Sequence, residues 1–180
     1  MRWTAAGRSL EAGAADEAPA GLAAARAATA SISAAELARA TPPPAVIFVD
    51  TSLDFTRGHV PGARWVPRGW LELRIAEVAP SPSAALVVTC IDGRASTLAA
   101  AALGALGYGK VSVLDGGMAA WQRAGLAVEQ GLSGVMAPPA DVVPAGPDRN
   151  FADMQNYLRW EEALGVKYGS PAHSGTGSAG

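Results

Sequence analysis

Three short runs along the chain are almost entirely apolar, and each stops at a residue able to do chemistry. They are Ala45–Val49 before Asp50, Ala85–Thr89 before Cys90, and Val111–Leu114 before Asp115. Continuous apolar runs of this length predict strands buried on both faces. Elsewhere the pattern changes to a helical period, and helices are expected over Arg68–Val78, Arg94–Leu106 and Met118–Ala124. Ahead of the first strand, Ser33 and Glu36 stand three apart, a capping box that opens a helix over Ser33–Ala40. Pro42, Pro43 and Pro44 close it. Strands alternating with helices predict an α/β domain with a mainly parallel sheet and helices on both faces. Ligand sites in such sheets gather beyond the carboxyl ends of strands. Asp50, Cys90 and Asp115 stand there.

The flanks read differently. Residues 12–30 are mostly Ala and Gly with scattered acids and no large apolar anchor, so residues 1–30 are expected to form a largely flexible linker. The domain itself is expected over residues 31–130. Residues 131–180 form a C-terminal extension whose prolines at 138, 139, 144 and 147 precede one helix, at about 151–164. Asn150 can cap that helix, and Phe151, Met154, Tyr157 and Leu158 give it an apolar stripe. Ser170–Gly180 is a Ser/Gly tail without core-forming content. A short pattern, W-x-x-A-G-x-x-(V/L)-E-x-G, occurs at Trp121–Gly131 and again at Trp3–Gly13. It suggests that residues 1–30 carry the end of a preceding repeat.

Composition narrows the function. With 180 residues, 49% of them hydrophobic and 17% charged, the chain can build one well-filled domain. A net charge of −2 without a basic stripe argues against nucleic acid. Two histidines and one cysteine are too few for a zinc cage. The single cysteine forms no internal disulfide, which fits a reducing compartment. Arg8, Glu11, Asp16 and Glu17 interrupt any signal-peptide core, and the uncharged stretch Ala95–Gly109 is too short to span a bilayer. A soluble cytoplasmic protein is expected, with no membrane association.

Chemistry concentrates at Cys90, Ile91, Asp92, Gly93, Arg94, Ala95 and Ser96. A cysteine leaves a buried strand, a tight loop follows, and a helix begins. Loop amides and the positive end of the helix dipole can converge on the sulfur and favour a thiolate. Arg94 adds positive charge; Asp92 works against it. The loop alone fits both a nucleophile and a buried structural cysteine.

Two longer motifs flank the loop. Val49–Ala63 (V-D-T-S-L-D-F-T-R-G-H-V-P-G-A) resembles the rhodanese signature D-x-R-x-x-x-(E/D)-(F/Y)-x-x-G-H-I-P-G-A. Gly107–Trp121 resembles that family's closing signature, G-(F/Y)-x-x-V-x-x-L-x-G-G-x-x-A-W, and Cys90 lies between them at the family's spacing. The resemblance covers about Ser31–Glu129. The terminal segments are similar to those of bacterial proteins with several rhodanese repeats. It implies a rhodanese-like three-layer α/β fold and a sulfurtransferase. In such an enzyme Cys90 takes a sulfane sulfur from thiosulfate or a similar donor, becomes a persulfide, and passes the sulfur to cyanide or a thiol. The amides from Ile91 to Ser96 would hold the anion, with Asp50, Arg57 and His59 in support. No metal or cofactor is implied, and no partner protein is identified.

The chain departs from the family pattern at two arginines. The arginine expected five residues after the cysteine is Ala95, with Arg94 one place early; the one expected two after the strand-end aspartate is Ser52. Thiosulfate affinity is the property these losses touch. A catalytically weak binding or scaffold module is therefore the alternative function. A related Cys-loop phosphatase would need an arginine six after the cysteine, where this chain has Ser96. Seven further residues have structural readings. His59, in its G-H-V-P-G turn, is expected to make a structural hydrogen bond, and Asp50 to accept one. Trp121 is expected in the core, and Gly116-Gly117 in a turn needing positive φ or close approach. Trp65 and Trp70 are expected in core or rim packing.

Overall fold

The computed structural model describes residues 19–136, 138, 139, 141 and 151–168. The repeat-like pattern at Trp3–Gly13 and the tail Ser170–Gly180 lie outside the described residues. The chain forms two compact units, residues 1–141 and 142–180.

In the first unit five strands form one sheet: β1 (Ala30–Ile32), β2 (Ala45–Phe48), β3 (Arg64–Trp65), β4 (Leu86–Thr89) and β5 (Val111–Leu114). Their spatial order is β1-β5-β4-β2-β3, and every pair is parallel. The three strands predicted from apolar runs are the central ones. Alternation along them builds two cores. On one face Ile47, Val49, Val88, Cys90 and Val113 pack with Leu71, Ile75, Ala99 and Leu103. On the other, Val46, Phe48, Val87 and Leu114 pack with Leu37, Phe55, Met118 and Trp121. Helices thus cover both faces, as the continuous apolar strands require.

The helices of this unit are α1 (Leu22–Ala28), α2 (Ala34–Arg39), α3 (Ser52–Arg57), α4 (Leu71–Val78), α5 (Arg94–Ala105) and α6 (Gly117–Arg123). The capping box forms: Ser33 Oγ accepts the Glu36 amide at 3.2 Å, and Glu36 Oε2 accepts the Ser33 amide at 2.9 Å. The first turn of the helix expected from Arg68 is 3-10, over Arg68–Trp70, before α4 begins. Among the described residues no helix is long and apolar enough to cross a membrane.

Two boundaries need correction. The expected linker at residues 1–30 contains α1, whose Leu22 and Ala25 are buried and which packs on α5. An Ala-rich helix can dock there because α5 offers a surface of small residues that lets backbones approach. The expected extension at residues 131–180 also starts too early. Trp65 donates its amide to Gly134 at 3.2 Å and bridges Val135, Gly131 donates to Thr56 at 3.0 Å, and Asp141 Oδ2 accepts the Ser52 amide at 2.8 Å. These residues form a strap along β3. In the second unit, α7 (Phe151–Tyr168) runs four residues beyond its predicted end.

Candidate active site

Register brings the site together. Phe48 lies opposite Thr89 across β2 and β4, so the two chains leave the sheet side by side at Asp50 and Cys90. Asp50 Oδ2 then accepts the Ile91 amide at 2.7 Å. Gly93 turns the chain in the left-handed region at φ 90°, and α5 starts at Arg94. The loop curls around the sulfur. The amides of Gly93 and Ser96 point at Cys90 Sγ from 3.1 and 3.3 Å, and Ser96 Oγ lies 3.2 Å from it.

The loop is held from below by the start of α6. Met118 and Ala119 donate their amides to the carbonyls of Cys90 and Ile91 at 2.9 and 3.1 Å. With its carbonyls engaged there, the loop can turn amides towards the sulfur. Gly117 makes the approach possible. A Cβ at that position would fall against the Cys90 carbonyl oxygen, 2.8 Å from the Ile91 oxygen and 2.9 Å from the Gly93 nitrogen. Its φ of 57° also favours glycine. The sequence offered this clamp only as a close-approach Gly-Gly pair; its contact with the cysteine loop was not legible.

Not every loop amide serves the sulfur. Ile91 gives its amide to Asp50, and Arg94 gives its own to Asp92 Oδ1 at 2.9 Å. The Arg94 guanidinium is exposed and sits 3.5 Å from Asp92 Oδ2. Asp92 Oδ1 itself lies 3.8 Å from Sγ. Asp92 therefore takes one of the loop amides that the sequence assigned to a bound anion.

Cys90 is fully buried, at 0% exposure. Its loop neighbours Ile91, Asp92, Arg94 and Ala95 line a shallow open depression, with Pro19, Asp50, Asp54 and Leu98 on the rest of the wall. Burial pushes the Cys90 thiol above its ordinary value, and the Asp50 carboxylate adds to that. The Ser96 hydroxyl, the Ser96 amide and the Gly93 amide pull it back without overcoming the loss of water. The expectation of an ionised resting sulfur is thus corrected: in this closed arrangement the protonated thiol is favoured. Burial also raises Asp50, with the Ile91 amide opposing and the charges of Asp54 and Asp92 adding to the rise.

The remaining expected residues lie apart from the sulfur. His59 is fully buried on the opposite core face, its ring stacked on Phe55 at 3.6 Å and its Nδ1 2.8 Å from the Phe55 carbonyl oxygen. Its Nε2 is 3.8 Å from Glu129 Oε2 and has no hydrogen-bond partner. Glu129 is held below its ordinary value by the Ser133 hydroxyl and the Gly62 amide, with His59 adding to that; partial burial opposes them. Arg57 reaches Asp54 at 3.3 Å. Trp65 donates its indole N–H to the Asp50 carbonyl at 2.9 Å. Together with the exposed Trp70 it lines a separate cavity of about 150 Å³ beside Pro67 and Arg74.

A parallel α/β sheet with a cysteine loop curled at the carboxyl end of a central strand defines a class of cysteine-loop proteins. Within that class this chain belongs to the rhodanese-like domain family, whose model matches residues 33–124. A sulfurtransferase of Allochromatium vinosum is 34% identical over 85 residues, 46% of this chain and 78% of that protein. Among solved structures, a thiosulfate sulfurtransferase from Pseudomonas aeruginosa superposes with a TM-score of 0.63 at 29% identity. The match covers 87% of this chain but only 29% of that enzyme. A homodimeric polysulfide-sulfur transferase from Wolinella succinogenes gives a TM-score of 0.53 at 26% identity, covering 63% of this chain and 88% of that one. The fold and family are those of sulfurtransferases.

Proposed function

We propose that the protein transfers sulfane sulfur through a persulfide on Cys90, from thiosulfate or a similar donor to cyanide or a thiol. One observation carries this reading: the Gly93 and Ser96 amides and the Ser96 hydroxyl all face Sγ within 3.3 Å. The two amides donate to the sulfur, and the Ser96 hydroxyl, whose oxygen accepts from the resting thiol, can turn to donate once the sulfur gains negative charge; such groups stabilise charge where it develops during reaction. With thiosulfate, Sγ bonds to the outer sulfur, sulfite departs with the electron pair of the broken S–S bond, and the thiol proton passes to solvent. An acceptor thiol or cyanide then takes the outer sulfur and regenerates the thiol. Asp50 positions the loop by holding Ile91, while Arg57 and His59 support the fold away from the sulfur. Such a thiol works in a reducing compartment such as the cytoplasm.

A binding or scaffold module is the second reading, and the complete burial of Cys90 favours it. Mass spectrometry after donor treatment separates the two. One added sulfur on Cys90, with thiocyanate production that Cys90→Ser abolishes, supports transfer. No adduct from any of several donors would leave only the binding module.

A further inference from the structure

Asp92 holds a loop amide at the opening of α5. Its Oδ1 accepts the Arg94 amide at 2.9 Å at the opening of the twelve-residue α5, and the same oxygen is 3.8 Å from Cys90 Sγ. Gly93, the N-cap of α5, supplies no side-chain cap. Asp92 therefore holds the electropositive end of the helix that an entering anion would otherwise use. Asp50 and Asp54 stand on the same wall, and the nearby cations are already engaged. Arg94 faces Asp92 at 3.5 Å, and Arg57 faces Asp54 at 3.3 Å.

We propose that Asp92 sets the order of preference among donors: its carboxylate, built into the sulfur-receiving loop, slows dianionic donors such as thiosulfate relative to sulfane sulfur carried on neutral or cation-bearing hydropersulfides. The proposal rests on the sulfur-transfer reading of Cys90. A dianion such as thiosulfate meets Asp92 with twice the repulsion of a monoanion. A neutral hydropersulfide meets none, and an ammonium-bearing one is attracted. The transfer balances without an oxidant. Sγ forms a bond to the outer sulfur of R–S–SH, the donor's S–S bond breaks, and its inner sulfur leaves with the electron pair. That sulfur takes up the proton given by the Cys90 thiol. The products are Cys90–S–SH and R–SH.

The test uses the full chain and Asp92→Asn, which removes the charge at nearly constant size, with Asp92→Ser as a second neutral variant. Cys90 is labelled with an anionic (sulfonatoethyl) and a cationic (trimethylammonioethyl) methanethiosulfonate, each rate divided by that of a small thiol in solution. The native protein should favour the cationic reagent, and both variants should narrow that preference by about tenfold. In parallel, sulfur loading is followed by mass spectrometry with thiosulfate and with cysteamine hydropersulfide. The native protein should load from the hydropersulfide first, and the variants should gain thiosulfate loading by about tenfold. Unchanged reagent and donor ratios, or equal slowing with both reagents, would overturn the role of Asp92 while leaving sulfur transfer intact. No sulfur on Cys90 from any donor, beside a charge preference that the variants abolish, would instead overturn the transfer reading.

Discussion

Asp50 and Ile91 are 41 residues apart in sequence and meet at 2.7 Å, carboxylate to amide. The contact follows from the pairing of β2 with β4, and it fixes the first turn of the loop around the sulfur. It also brings a negative charge near a thiol already short of water.

That charge gives a pH prediction. Burial comes first among the causes that raise the Cys90 thiol, and Asp50 adds to it. Asp50→Asn keeps an oxygen for the Ile91 amide but loses the charge. The pH profile of Cys90 alkylation should move to lower pH. A profile that stays in place would show that Asp50 acts on the loop alone. The same shift has a stability consequence. The folded protein holds the thiol proton more tightly than the unfolded chain, so this contribution is whole below the unfolded thiol's pKa. It is lost as pH rises through that value towards the folded one. Cys90→Ser should lack the alkaline decline in urea titrations.

Ser96 contributes twice, through an amide at 3.3 Å and a hydroxyl at 3.2 Å from the sulfur. Ser96→Ala removes only the hydroxyl, which lowers the thiol's pKa. Persulfide formation should slow by about tenfold, with the alkylation profile moving to higher pH. Equal rates in the two proteins would remove the hydroxyl from the mechanism.

Gly117 is the closest backbone approach beneath the loop. Gly117→Ala places a methyl among the Cys90 and Ile91 carbonyl oxygens at a positive φ. A loss of about 2 kcal/mol or more in urea unfolding is expected, with Cys90 alkylation altered as the loop moves. A variant of native stability would mean that the α6 clamp yields easily.

His59 separates structural support from chemistry. Its partners are Phe55 and Glu129, on the core face opposite Cys90. His59→Ala should lower stability by about 2–4 kcal/mol through the cavity and the lost hydrogen bond, while Cys90 alkylation in the folded protein changes little. Loss of thiol reactivity at full stability would instead make His59 a participant in the reaction.

The central strands were legible because a strand covered on both faces must be apolar throughout. β1 and β3 were not: three and two residues at the sheet edges leave no periodic signal. α1 escaped because its buried contacts are Leu22 and Ala25, and docking among small residues needs no bulky anchor. α3 had an available cue in Thr51 and Asp54: the Thr51 hydroxyl oxygen accepts the Asp54 amide at 3.2 Å. At the site, sequence order put Cys90 at a strand end. It could not say which amides would be diverted to Asp50 and Asp92. Nor could it reveal the thiol's protonation, which depends on how completely the fold excludes water from one atom.

The strap beyond residue 130 bears on how copies of this chain behave together. An open parallel sheet ends in a row of unsatisfied donors and acceptors, and any extended peptide can add itself there. Here β3 is only two residues long, and Gly134 already takes the Trp65 amide on its outer side. Shortening the chain before Gly134 would uncover that rim and invite strand-to-strand aggregation at high concentration.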